Sequence, residues 1–174
     1  PEWLMEGSSI DMSIGTSSLD GVPEPATGTV SISPLTPPPQ PVRTPSLSFA
    51  AEDDFEREQS NRPRSTNDLS RIENWPTQKP VFQQAFTTGT NGAATLAVTL
   101  PAGAYKAVLE SKDRFGKPVH GERILKVLNP NATKSAIRLP ALLIARKWTL
   151  EPGEQFEAIW GTGYDTGRAF VEVS

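Results

Sequence analysis

The chain has 174 residues, with 13 Gly, 17 Pro, no Cys, one His and a formal net charge of −3. Without cysteine it holds no disulfide scaffold, thiolate metal site, cysteine nucleophile or thioester, and Ser-His-Asp chemistry would have to run through His120. The mild acidity argues against a general nucleic-acid binder, and no apolar run approaches the ~20 residues that cross a bilayer.

Strand signals begin at once. Ser9-Ile10-Asp11-Met12-Ser13-Ile14 alternates with period two, as a half-buried strand does. Leu19-Asp20-Gly21 and the pair Pro23/Pro25 supply a turn, and Thr29-Val30-Ser31-Ile32-Ser33 repeats the alternation. Residues 34–80 then break the rhythm. Pro34, Pro37, Pro38, Pro39, Pro41 and Pro45 predict a polyproline-II-like run that stays out of any sheet ladder. Glu52-Asp53-Asp54-Phe55-Glu56-Arg57-Glu58 is a mixed charge run, and Ser65 to Trp75 predicts a short helix capped by Ser65, Thr66 or Asn67 and ended by Pro76. Connections above about 40 residues are unusual inside a compact domain. This one reads either as a functional insertion or as a span pinned at Trp75.

The alternation returns at Phe82–Thr87 and Ala94–Leu100, and the intervening Gly89-Thr90-Asn91-Gly92 predicts a hairpin. Pro101-Ala102-Gly103 turns the chain into a strand over 104–110, and Asp113 to Pro118 turns it again into a strand over about 119–128. Six strands at short spacing with no helical period predict an all-β, antiparallel sandwich of the seven-stranded, immunoglobulin-like type. Its inner face is expected to hold Ile10, Met12, Ile14, Val30, Ile32, Leu96, Val98, Leu100 and Tyr105, with Val108 or Leu109 but not both. Beyond Asn129-Pro130-Asn131, further strand-like runs at 135–144, 156–160 and 169–173 open a second β unit. The expected organisation is 1–130 as one sandwich with an insertion at 36–80, and 131–174 as linker and opening strands of a following unit. The Pro1-Glu2-Trp3 start and the alternating Phe170-Val171-Glu172-Val173 end read as a piece of a longer protein.

No residue carries a catalytic assignment. His120 sits on a predicted strand with no serine–aspartate partners. Gly161-Thr162-Gly163-Tyr164-Asp165-Thr166-Gly167 resembles a dinucleotide fingerprint only loosely, since it precedes a strand where a helix N-terminus would be needed. Glu52, Asp53 and Asp54 lack the alternating ligand spacing of a calcium loop, so no metal or cofactor is expected. Asn131-Ala132-Thr133 matches the glycosylation sequon, a pattern that often arises by chance. Trp3, Trp75, Trp148 and Trp160 are read as core and interdomain anchors, with ligand-stacking platforms the alternative. Arg43, Arg57, Arg64 and Arg71 lie among Pro, Ser and Asn and mark a protease-sensitive segment.

Taken in order, Thr87-Thr88…Asn91-Gly92-Ala93-Ala94-Thr95-Leu96, Leu100-Pro101-Ala102-Gly103-Ala104-Tyr105 and Asp113-Arg114-Phe115-Gly116 resemble a macroglobulin-like domain. Lys147-Trp148-Thr149-Leu150-Glu151-Pro152-Gly153-Glu154 resembles the start of the next such domain, and the run from Trp160 through Gly161-Thr162-Gly163 to Val173 resembles large bacterial alpha-2-macroglobulin-family proteins. The likeness covers 80–174 well and 8–45 loosely, and residues 46–79 match nothing. It implies a non-catalytic structural module of a large, secreted or periplasmic, broad-spectrum protease inhibitor. The implied partners are neighbouring macroglobulin-like domains of the same parent and, for the parent, its target proteases. The family's Cys–Gln thioester is absent here; Gly153-Glu154-Gln155 is only a strand-leading turn. The alternatives are a carbohydrate- or surface-binding adhesion sandwich and an accessory domain of an enzyme. A shallow aromatic groove with adjacent polar side chains would favour adhesion.

Overall fold

The structure, a computed structural model, describes residues 4–44, 68–168 and 170. Among them it is all-β with one short 3₁₀ turn. The strands are β1 (Leu4–Met5), β2 (Ile10–Gly15), β3 (Thr27–Pro34), β4 (Phe82–Thr87), β5 (Ala93–Val98), β6 (Gly103–Lys112), β7 (Pro118–Leu128), β8 (Leu142–Ala145) and β9 (Ala158–Gly161). One sheet has the order β1-β7-β6-β3-β4, while β2 pairs with β5 and β8 with β9. Every pairing is antiparallel except β1 with β7, where Leu4 lies opposite Val127 and Met5 opposite Leu128. The expected purely antiparallel arrangement is therefore corrected to a mixed one.

The period-two runs do what alternation predicts. Ile10 and Ile14 from β2, Leu96 and Val98 from β5, and Val30, Ile32, Phe86, Tyr105, Leu125 and Val127 from the larger sheet share one buried cluster. Leu109 packs against it and Val108 does not, which settles the choice between these neighbours. A second cluster lies on other side chains of the same strands: Ala104 and Leu128 are buried with Leu35, Ile72, Trp75, Ile137, Leu142 and Ile144, with Met5, Leu69, Ile124, Leu139 and Ile159 alongside. Successive residues of a strand point to opposite faces. The end of β7 therefore sends Leu125 and Val127 into one cluster, and Ile124 and Leu128 into the other.

Three local expectations are corrected. The Asn91-Gly92 turn does not close a hairpin, because β4 pairs with β3 and β5 with β2. It carries the chain from one sheet to the other: the Thr88 N–H bonds Ala26 O at 2.9 Å on the β3 side, and the Thr16 N–H bonds Gly92 O at 2.8 Å on the β2 side. Pro34 does join a ladder, as the last residue of β3 opposite Tyr105, where its carbonyl accepts from the Gln78 N–H at 2.9 Å. Proline lacks only the donor, so a strand's final residue tolerates it. In place of the short helix over 65–75 there is a 3₁₀ turn at Ile72–Asn74 with no side-chain cap. Residues 65–67 lie outside the described residues. Asp68 instead accepts from the Ser70 N–H and hydroxyl at 3.0 and 2.6 Å, and the competing local turn leaves no N-cap for a longer helix.

The point where the chain changes sheets is held by a hydroxyl network. The Thr16 hydroxyl donates to Glu24 O at 2.5 Å and lies 2.8 Å from the Thr88 oxygen, which accepts from the Ala26 N–H at 2.8 Å. With the Thr16 proton committed to Glu24, the Thr88 hydroxyl donates to Thr16. Gly92 is required beside it: φ is +65°, and a Cβ there would stand 2.2 Å from Thr16 O. A second corner precedes β6. The buried Tyr105 hydroxyl donates to Pro101 O at 2.9 Å. Burial, and then the Glu6 carboxylate, push its phenol above the usual range.

Two outcomes follow from these corners. Thr88→Val removes a buried partner from both Ala26 and Thr16 and is expected to cost about 1–3 kcal/mol in denaturant melts. Thr16→Val should cost about 0.5 kcal/mol or more less in that background than alone, and strictly additive costs would rule out a coupled network. Tyr105 holds its proton more tightly folded than unfolded. That stabilisation is complete below the unfolded phenol pKa of about 10 and is lost as pH rises through the folded value. Tyr105→Phe should therefore cost about 1 kcal/mol at neutral pH and flatten the alkaline decline in stability.

Candidate binding cleft

The chain leaves β7 through a connection whose turns are set by its own side chains. The Asn131 N–H bonds Asn129 Oδ1 at 2.9 Å, and the Ser135 hydroxyl donates to Ile137 O at 3.0 Å while accepting from the Ile137 N–H at 3.1 Å. These turns deliver Ile137, which is 1% exposed, into the second cluster. After β9 the loop Thr162–Arg168 doubles back against the same connection. The Thr162 hydroxyl donates to Pro140 O at 2.8 Å, and the Gly163 N–H bonds Leu139 O at 2.8 Å. Gly163 admits no side chain, since a Cβ would lie 2.5 Å from the Arg138 Cα. Lys134 Nζ closes the far side by pairing with Asp165.

Between connection and loop lies a cleft of about 360 Å³. Leu128, Ile137, Leu142 and Ile159 contribute apolar surface, and Trp160 lines it together with Asn129, Thr133, Lys134, Thr162, Tyr164 and Asp165. Trp160 is 44% exposed. Its six-membered ring edge lies close to Gly167, where a Cβ would come within 3.1 Å. The hydrogen bond from Lys134, then the lysine's charge, hold the Asp165 carboxyl below the usual carboxylate range. The Asp165 carboxyl is therefore ionised at neutral pH.

The loop is also tied to the Pro-rich segment. Arg43 Nε donates to the Tyr164 hydroxyl at 3.2 Å, and its guanidinium lies 5.7 Å from the Tyr164 ring centroid. Arg138 donates to Pro39 O, and Pro41 packs beside Gly163. Of the arginines expected to mark a protease-sensitive segment, Arg43 and Arg71 are exposed, Arg71 lying 4.0 Å from Glu73. Arg57 and Arg64 lie outside the described residues, as do Glu52, Asp53 and Asp54. The described far end of the connection is packed: Trp75 is 2% exposed, and its indole N–H donates to Leu69 O at 2.9 Å.

Elsewhere the sequence candidates remain apart. His120 is exposed on β7, 3.7 Å from Glu122, which is itself paired with Lys106 at 2.7 Å. The Lys106 hydrogen bond is the main reason the Glu122 carboxyl sits low. The Gly-rich 161–167 run follows β9 and leads to no helix among the described residues. Gly153-Glu154-Gln155 lies in the turn between β8 and β9, where Glu154 accepts from the Glu151 N–H and from Lys147, all at 2.7 Å. Trp148 and Phe156 flank that turn, their rings 6.1 Å apart and both largely exposed. Trp75 is thus an anchor, Trp148 and Trp160 are open to solvent, and Trp3 lies outside the described residues. Among the described residues no group of three His, Asp or Glu side chains is placed to share an ion, and no helix is long and apolar enough to cross a membrane.

Sequence reasoning did not find the cleft. Its only signal was glycine density at 161, 163 and 167, and at 163 and 167 neighbouring atoms approach too closely for a side chain. Compared with known proteins, the chain matches no family model, no curated protein and no solved structure.

The Arg43–Tyr164 contact has a measurable consequence. A guanidinium held on a ring and hydroxyl is less free to enter a protease cleft. Tyr164→Leu is expected to raise the rate of tryptic cleavage after Arg43 several-fold without altering cleavage after Arg114, in the exposed turn between β6 and β7. An unchanged rate, read by mass spectrometry of timed digests, would show that the contact restrains nothing.

Proposed function

We propose that the chain is a non-catalytic β-sandwich module of a larger, secreted or periplasmic protease-trapping protein of the alpha-2-macroglobulin kind. Three features support the sandwich part of this reading. The order β1-β7-β6-β3-β4 opposite β2-β5 resembles the immunoglobulin-type division of strands, with β6 and β7 in the places of F and G. The Tyr105 hydroxyl reaching back to Pro101 resembles the tyrosine corner that such folds carry at the start of that strand. One cluster is shared by both sets of strands.

The observation that carries the modular part is the β8–β9 hairpin. Leu142 and Ile144 are buried against the larger sheet, whereas the cross-strand pair Leu143 and Trp160 remains 53% and 44% exposed. Two strands make an incomplete sheet. On this reading the hairpin opens a following macroglobulin-like domain, whose further strands would cover Leu143 and leave the cleft beside Trp160 open. The module supplies spacing and docking, and target proteases meet the parent as a whole.

The second reading, a carbohydrate- or surface-binding adhesion module, is favoured by one observation: an aromatic side chain set among polar ones in the cleft. One experiment separates the two. The intact parent protein is mixed with a serine protease and a metalloprotease, and digestion of casein is followed beside that of a small chromogenic amide. Trapping predicts that casein digestion falls while amide hydrolysis persists, and that the 174-residue chain alone inhibits neither. A parent that leaves casein digestion untouched with both proteases overturns the trap reading.

A further inference from the structure

We propose that the cleft between the 129–140 connection and the 161–168 loop is a binding site for a neutral carbohydrate, with Trp160 as its apolar wall. The inference rests on the chemistry of the lining and does not depend on the trap reading.

Size comes first. A volume of about 360 Å³ falls in the range of ~300–1,000 Å³ usual for small-molecule sites, which suits a mono- or disaccharide. The lining then narrows the class. Trp160 is 44% exposed, yet it sits on a strand and beside Gly167, where no side chain intervenes. An indole offers a flat apolar face with an N–H at its edge. Sugar rings have the matching character, with C–H groups on one face and hydroxyls around the rim. Facing polar groups are at hand: the Lys134 ammonium donates, the Asp165 carboxylate accepts, and the Thr133 hydroxyl does either. Neither Thr133 nor the Trp160 N–H has a hydrogen-bond partner among the described residues.

Charge decides between ligand classes. Lys134 and Asp165, the charged residues of the lining, pair with each other, and Arg138, whose charge also acts on Asp165, donates to Pro39 O. An anion would face the Asp165 carboxylate, and a cation the Lys134 ammonium. A purely apolar ligand would strip water from Asn129, Thr133, Lys134 and Asp165 and return no hydrogen bonds. A neutral polyol with one apolar face satisfies both halves of the lining. The site is also preorganised. The Thr162–Pro140 and Gly163–Leu139 hydrogen bonds and the Arg43–Tyr164 contact fix the loop before any ligand arrives.

The test uses the full 174-residue chain and a panel of neutral sugars: glucose, galactose, N-acetylglucosamine, maltose, cellobiose and N,N′-diacetylchitobiose. Glucuronic acid and glucosamine serve as charged controls. Proton–nitrogen correlation spectra are recorded during each titration. The expected result is saturable binding of at least one neutral sugar, with a dissociation constant on the order of millimolar. The shifts should centre on the Trp160 indole N–H and the amides of 133–135 and 161–167. Trp160→Ala should raise the dissociation constant about tenfold or more, while Trp148→Ala leaves it unchanged. If Trp160→Ala does not fold, judged by its spectrum, Asp165→Ala at the rim serves instead and should weaken binding several-fold. The proposal is overturned if no neutral sugar saturates by about 50 mM, if a charged sugar binds more tightly, or if the shifts map to the Trp148–Phe156 turn. Casein digestion in the presence of the parent reads the trap separately, so either reading fails without the other.

Discussion

The last turn of β7 is apolar on both faces, and most of the architecture answers that constraint. Ile124, Leu125, Val127 and Leu128 alternate across the strand, so no single partner layer buries them all. Leu125 and Val127 meet side chains of β2 and β5. Ile124 and Leu128 meet Trp75, Ile137, Leu142 and Ile144. Fully burying a side chain of this size is worth about 1.5–3 kcal/mol, so leaving either face wet would forfeit a large fraction of a typical domain stability of about 5–15 kcal/mol. The far side of the sheet is therefore where the Pro-rich connection returns and where the β8–β9 hairpin packs. A long connection between β3 and β4 becomes intelligible on these terms, because its described end, Leu69 to Trp75, is part of a core.

Covering both faces forces the chain to change layers, and each change leaves backbone polar groups to be paired. At the β4–β5 crossing two threonine hydroxyls and a positive-φ glycine do this work; at the β5–β6 crossing it is a tyrosine hydroxyl. Among the described residues no buried side-chain nitrogen or oxygen lacks a partner. Glu6 performs a similar service outside the core. Its two oxygens accept from the Ala102 N–H at 3.0 Å and from Asn129 Nδ2 at 2.6 Å, joining the end of β1 to the corner before β6 and to the exit of β7.

This division explains what the sequence made legible. Period-two alternation is a property of one strand and its own faces, so the inward positions of Ile10, Ile14, Val30, Ile32, Leu96 and Val98 are readable from the residue pattern alone. Which strand lies beside which is not encoded in alternation. Gly89-Thr90-Asn91-Gly92 has the composition of a hairpin turn, but the partners of β4 and β5 are chosen by the wider packing, and the turn spans two layers. Pro34 misled for a related reason: proline forbids a donor, and this ladder position needs only an acceptor. The second cluster was invisible because its members come from positions 5, 35, 72–75, 104, 124–128 and 137–159, with no shared period. Its anchor Trp75 was nonetheless recognisable as an aromatic residue at the end of a polar stretch.

The cleft follows from the same geometry. A hairpin laid on the outer face of a sheet must be reached by a connection, and connection and loop meet beyond the hairpin's last pair. Where two such segments converge, full side chains would hold them apart. Gly163 and Gly167 allow contact with Arg138 and with the Trp160 ring, and the space between them is bounded by side chains that either face the core or reach solvent. Apolar surface and polar rim thus meet along one line, at the edge of the second cluster. That edge is set by the two-faced strand. Its inner wall is buried because β7 requires cover, and its outer wall is open because the hairpin carries only two strands.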